Sequence, residues 1–217
     1  IPLCQDTGMV ISFVEMSIKV QLDEPVEDLI NKGIKKGYEE GVLRKSVVKD
    51  AFQRINTDDN TPAIVYIKQT EGDKLKIDLM LKGFGSENMS RVFMLKPADG
   101  IEGIKNAVVT AVRDAGPNAC PPMVVGVGIG GTFEKCALLA KKALTRSVEE
   151  GASDPEIRNL EKDILERINK SGIGPAGLGG TVTALAVNIE TYPTHIAGLP
   201  VAINICCHVN RHSVRVL

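Results

Sequence analysis

From residue 9 to residue 20 the chain runs MVISFVEMSIKV, alternating in character and rich in β-branched side chains, the period-two signature of a strand. The period then lengthens. Between Pro25 and Val42, Val26, Leu29, Ile30, Ile34 and Tyr38 recur close to every 3.6 residues, which predicts a helix with one apolar stripe. Two further strands are expected at 62–70 and 74–82, with Glu71-Gly72-Asp73 forming the turn of a hairpin. After a loop rich in Gly, Ser and Asn at 83–90, the pattern predicts a helix over Gly100–Ala115 and a short apolar strand over Met123–Ile129. A helix opening at Thr132 and running Phe133–Glu149 follows. Ser153-Asp-Pro-Glu156 has the capping-box pattern ahead of an apolar face made by Ile157, Leu160, Ile164, Leu165 and Ile168. The glycine-dense loop Gly172–Gly180 leads to strands at 181–189 and 199–206. Two successive helices between 133 and 170 break any regular strand–helix rhythm. The pattern therefore predicts an α+β fold, a mixed and largely antiparallel sheet packed with helices, and 217 residues suffice for one large domain or two small ones.

Composition narrows the function classes. Of 217 residues 43% are apolar and 24% charged, enough for a sizeable core. There are five Phe, three Tyr and no Trp, so aliphatic side chains must fill that core. A net charge of −1 gives no electrostatic footprint for nucleic acid or an anionic membrane. No run approaches the roughly 20 apolar residues of a membrane span, and no basic-then-apolar leader opens the chain. Five cysteines, an odd number, argue against a disulfide framework and for a reducing, cytoplasmic setting.

Three cysteine segments could carry chemistry. Cys4-Gln5-Asp6-Thr7-Gly8 packs a thiol, an amide, a carboxylate and a hydroxyl into five residues before a strand; an ordinary turn with an incidental buried thiol is the alternative. In Asn118-Ala119-Cys120-Pro121-Pro122 two prolines stiffen the loop and suit a metal ligand, although a small buried side chain at a strand edge fits too. In Cys206-Cys207-His208-Val209-Asn210-Arg211 adjacent side chains of a strand diverge, so one thiol faces a site and the other a core. Cys136, beside Ala137 and Leu138 in a helix, reads as packing. Gly126-Val-Gly128-Ile-Gly130-Gly131 matches the dinucleotide pattern G-x-G-x-x-G, but the glycines overlap the strand and a second helix follows where a strand belongs. His195, in Tyr192-Pro193-Thr194-His195, and Arg44, after Gly41-Val42-Leu43, are each mute alone.

Taken together, these segments resemble the α subunit, or N-terminal domain, of iron–sulfur (class I) fumarate hydratases and the related L-tartrate dehydratases. The resemblance is carried by PLCQDTG, GSENMS, LKPADGIEGIKN, NACPPMVVGVGIGGT, LAKKAL, GIGPAGLGGT and the CxxxR ending Cys207–Arg211, in order along the chain. The resemblance implies one cluster-binding domain over residues 1–217; members normally carry a helical segment before the first motif, so truncation or disorder ahead of Ile1 is expected.

The resemblance implies a [4Fe–4S] cluster on Cys4, Cys120 and Cys207, the last because it stands four residues before Arg211. His208 and His212 occupy places where the family usually has tryptophan and a second arginine. Three ligands rather than four leave one iron open as a Lewis acid toward a substrate hydroxyl. Gln5 and Asp6 are implied to line the substrate site, with Asp6 donating a proton to the departing hydroxyl. Arg44 is implied to clamp a substrate carboxylate, Gly85 to offer close backbone, and His195 to make a further contact. GSENMS is the fumarase-like variant, which favours fumarate and L-malate over tartrate. The base, with further arginines and a lysine, belongs to a β subunit, so an αβ pair that dimerises again is expected. Competing readings are a tartrate dehydratase α subunit, a zinc module on Cys4, Cys120 and Cys207 or His208, and a nucleotide-binding domain.

Overall fold

A computed structural model describes residues 3–217. In chain order the strands are β1 (Met9–Ser17), β2 (Ile64–Thr70), β3 (Leu75–Lys82), β4 (Arg91–Leu95), β5 (Met123–Gly130), β6 (Ala184–Tyr192), β7 (Leu199–Cys206) and β8 (Arg211–Val216). The α-helices are α1 (Val26–Glu40), the single turn α2 (Phe84–Glu87), α3 (Gly100–Ala115), α4 (Phe133–Ala143) and α5 (Pro155–Asn169). The fold is α+β. The chain divides into two compact units, the first running through Phe84 and regaining Arg211–Leu217, the second Gly85–Asn210.

The first unit is a four-stranded sheet of order β2-β1-β3-β8 with α1 on one face. Val26, Ile30, Ile34 and Tyr38 form the buried stripe of α1 and meet Val10, Val14 and Leu75. Each fully buried aliphatic side chain here contributes about 1.5–3 kcal/mol. The expected hairpin between the second and third strands does not form. β1 lies between them, parallel to β2 and antiparallel to β3. The reason is burial: β1 is apolar on both faces and takes a central position, whereas β2 is mostly exposed and serves as an edge.

The second unit is a sheet of order β4-β7-β5-β6. Val108, Ala111 and Val112 of α3 and Ile164 and Ile168 of α5 cover one face, against Val125, Val127, Ile203 and Ile205. On the other face α4 lies almost in contact with the backbone of β5. A Cβ on Gly128 would stand 2.0 Å from the Cys136 carbonyl oxygen, and one on Gly126 2.1 Å from that of Ala140. Close helix–strand packing thus accounts for the Gly126–Gly128 pair, and Cys136 is buried in this contact, as a packing residue.

Several boundaries move for identifiable reasons. The helix expected to reach Glu149 stops at Ala143 because Asn188 donates to the Ala143 and Arg146 carbonyls and Asn210 to that of Leu144, taking acceptors that another turn would use. At α5 the N-cap is Asp154 rather than Ser153, its carboxylate accepting from the Glu156 N–H at 2.8 Å. Strands β4 and β8, both exposed along much of their length, carry little apolar alternation and were not expected from the pattern.

Candidate functional site

The predicted residues fall into two sets, one in each unit. In the first, the Cys4–Gly8 loop is held from several sides. The Asp6 carboxylate accepts from the Gly8 N–H at 2.9 Å and the Phe84 N–H at 2.8 Å, so both oxygens are oriented by backbone. The Asp6 N–H points at the Cys4 sulfur (3.4 Å), and the Cys4 thiol faces the Gln5 side-chain oxygen (3.4 Å). Gly8 has φ of +77°, and a Cβ there would stand 2.9 Å from the backbone of Leu81 and Lys82; only glycine fits this turn.

Arg44 is brought to the same loop through its main chain. The Thr7 hydroxyl donates to the Arg44 carbonyl, while the exposed guanidinium makes one weak contact, Nε to the Ser46 hydroxyl at 3.3 Å. Buried Tyr38 donates its hydroxyl to the Thr7 carbonyl at 2.7 Å. Burial pushes the Tyr38 phenol above its ordinary value, against a smaller opposing influence of the nearby Arg211.

In the second unit Cys120 sits in the left-handed region at φ +52°, a costly conformation for a residue with a side chain, and its thiol is exposed. Its carbonyl receives the His208 N–H at 3.4 Å and His208 Nδ1 at 3.0 Å. A carbonyl only accepts, so Nδ1 carries the proton. His208 thereby ties the segment after Cys207 to Cys120. Behind them Ala176 N–H donates to the Pro121 carbonyl at 2.9 Å, so the glycine-dense loop buttresses the Cys120 loop. Gly85 lies beside it: a Cβ there would stand 3.9 Å from the Asn118 carbonyl, with nothing closer. His195 stands elsewhere, on the turn after β6. Its Nδ1 accepts from the Ala197 N–H at 3.2 Å, leaving Nε2–H to donate.

The five thiols separate cleanly. None is in a disulfide; Cys136 and Cys206 are buried, Cys4 and Cys207 half-buried, and Cys120 exposed. Among the described residues no three His, Cys, Asp or Glu side chains form a ready-made metal group. The three thiols that are not buried, Cys4, Cys120 and Cys207, are each of the ligand type that iron–sulfur clusters take. No helix among the described residues is long and apolar enough to cross a membrane. A cavity of about 560 Å³ beneath α1 is lined by Val10, Leu29, Ile30 and Leu79 with other aliphatics, and offers nothing to a dicarboxylate.

A family profile described as fumarate hydratase (Fumerase) matches residues 1–216. The chain belongs to this family. Among relatives of this fumarate hydratase family member, a putative L(+)-tartrate dehydratase subunit alpha of Methanocaldococcus jannaschii is 45% identical over 99% of the chain and 78% of the relative. L(+)-tartrate dehydratase subunits alpha of Escherichia coli are 31% identical (strain UTI89) and 30% identical (strain K12), over 97% of the chain and 70% of each relative. The family is thus one of hydro-lyases, and its tartrate dehydratase members fit this chain at least as well as a fumarate hydratase does.

In this family member Tyr38 as a hydrogen-bond donor, Asn60, and His208 as a tie carry no motif of their own in the sequence. Tyr38 is masked by its place in an apolar helical stripe. Asn60 lies in the polar run Asp58-Asp59-Asn60-Thr61, which resembles any surface turn. His208 sits beside a candidate thiol, and that adjacency was the available signal.

Proposed function

We propose that the chain is the α subunit of an iron–sulfur hydro-lyase acting on a four-carbon 2-hydroxydicarboxylate, with L(+)-tartrate the first substrate to test. The observation that carries the metal reading is the thiol pattern: Cys4, Cys120 and Cys207 are accessible on loops or strand ends, while Cys136 and Cys206 are buried. Those three would hold a [4Fe–4S] cluster. When bound, such a cluster has an iron without a protein ligand, which polarises the substrate hydroxyl as a Lewis acid.

The chain's own residues take the remaining tasks. Among the described residues the Arg44 guanidinium has no carboxylate partner, and it is assigned to a substrate carboxylate, where its planar fork gives two parallel bonds. Asp6, its carboxyl oriented by two N–H donors, is assigned proton donation to the leaving hydroxyl. Gln5 and Gly85 contribute polar and backbone contacts, and His195 an Nε2–H. A C–H base is assigned to a β subunit, in keeping with relatives named as subunits alpha.

The relatives' names favour tartrate. The second reading, fumarate and L-malate, is favoured by the Gly85–Ser90 stretch, GSENMS. The test is anaerobic reconstitution with the β subunit, followed by iron and sulfide analysis, the optical spectrum, and turnover of L(+)-tartrate and L-malate side by side. Cys207→Ser should lose the cluster and activity, while Cys206→Ala should keep both. Zinc in place of iron, a full cluster in Cys207→Ser, or turnover of neither substrate by the complete complex would overturn the reading.

A further inference from the structure

Asn60 is a fully buried polar side chain in the first unit, with 0% of its surface exposed. Its Nδ2 donates to the Gly8 carbonyl at 3.1 Å, and its Oδ1 accepts from the Ser46 N–H at 2.6 Å. One amide therefore bridges two loops that the sequence separates by more than thirty residues: the Cys4–Gly8 loop and the loop that presents Arg44. We propose that Asn60 is a positioning residue that fixes the register between the Arg44 guanidinium and the Asp6 carboxyl. The inference rests on the assignment of Arg44 to a substrate carboxylate.

The chemistry of the position explains why this residue type is needed. Its backbone has φ of +62°, a region where asparagine is among the few tolerated side chains. The two contacts need a donor at one end and an acceptor at the other. Aspartate supplies only acceptors and would set a buried oxygen against the Gly8 carbonyl; glycine accepts the backbone and supplies neither bond. The Arg44 loop closes on itself through the Val48–Asn56 bridge and the Asn56 bond to the Lys45 carbonyl at 3.0 Å, so it can move as one piece. Its ties to the Cys4–Gly8 loop are the Thr7 hydroxyl at Arg44 and the Asn60 amide next door. A guanidinium on a flexible stem binds a carboxylate productively only when its backbone is held, since a displacement of about 1 Å can cost on the order of a hundredfold in rate.

The test compares wild type, Asn60→Gly, Arg44→Ala and the double variant in the anaerobically reconstituted complex. Asn60→Gly should raise KM roughly tenfold or more, with iron per chain unchanged. In the Arg44→Ala background the same change should add less than about twofold, because the group it positions is gone. An unchanged KM, or an equal effect in both backgrounds, overturns the proposal. Asn60→Ser serves where Asn60→Gly fails to fold: its hydroxyl is too short to span both partners, so KM should rise with iron per chain unchanged, and an unchanged KM there also overturns the proposal. Amide hydrogen exchange on the full chain separates this from the function itself. Asn60→Gly should speed exchange at Ser46 roughly tenfold and leave Ile189 in β6 unaltered. If the wild-type complex turns over neither substrate, the proposed function falls and exchange decides the tie; unaltered Ser46 exchange then overturns it.

Discussion

Around Cys4 the ties are made by side chains: the Asp6 carboxylate, the Thr7 and Tyr38 hydroxyls and the Asn60 amide each bond to backbone. Around Cys120 they are made mostly by backbone: Cys120 N–H to the Pro117 carbonyl at 3.1 Å, Ala176 N–H to Pro121, and Met123 N–H to Thr183 at 2.8 Å. His208 is the side chain that joins in there. The difference teaches where each loop is vulnerable. A side-chain tie is removed by a conservative substitution; a backbone tie is broken only by changing the space or the dihedral angles around it.

The largest effect is therefore expected from a glycine in the buttress of the Cys120 loop. Gly177 has φ of +75°, and a Cβ there would stand 2.4 Å from Pro117 Cβ and 3.0 Å from its Cα. Gly177→Val combines overpacking with a left-handed β-branched residue and should cost about 2–5 kcal/mol. It should also lower iron per chain after reconstitution, because the loop bearing Cys120 must shift. Thermal unfolding and iron analysis check both; unchanged values would remove the buttress from the comparison.

On the Cys4 side, Tyr38→Phe deletes a hydroxyl and leaves the Thr7 carbonyl without its best donor, for about 1–3 kcal/mol. The pH dependence sharpens the test. The Tyr38 phenol is raised in the folded chain, so its proton is held more tightly there than in the unfolded chain. Its stability contribution is then fully present below the ordinary value of 10.0 and is lost as pH rises through the folded value. Wild type should lose stability above pH 10, and Tyr38→Phe should decline less steeply. Denaturant titrations at pH 8 and above 10 measure the difference, and parallel slopes would detach Tyr38 from the loop.

The same division governs what the sequence could reveal. The strands and helices with long apolar patterns, such as α3 and β7, were legible to the residue because burial dictates their periodicity. The place of β1 between β2 and β3 was not, because a hairpin and a split arrangement share one local pattern and differ only in long-range burial. At the candidate site, the residues with reactive groups stood out in short motifs. Their supports did not: Asn60 lies fifty-two residues from Gly8, and nothing local marks it as buried. The motifs identify the family, and GSENMS leans toward fumarate and malate, whereas the relatives' names lean toward tartrate.

The smallest effect is expected at His208, where the two kinds of tie meet. Its ring is exposed, so the bond from Nδ1 to the Cys120 carbonyl competes with water and contributes about 0.5–1.5 kcal/mol at most. Asparagine carries a donor at a reach similar to Nδ1, whereas phenylalanine keeps the ring shape without a donor. His208→Asn should therefore hold the cluster about as long as wild type when the complex is exposed to air, and His208→Phe should lose iron sooner. Following the optical spectrum over time for the three proteins, with thermal unfolding as a control for overall stability, separates the hydrogen bond from the ring. Equal decay for asparagine and phenylalanine would mean that backbone alone fixes the Cys120 loop. In that case the contrast with the side-chain-held Cys4 loop becomes sharper, since the direct ties of the Cys120 segment would then be backbone ones.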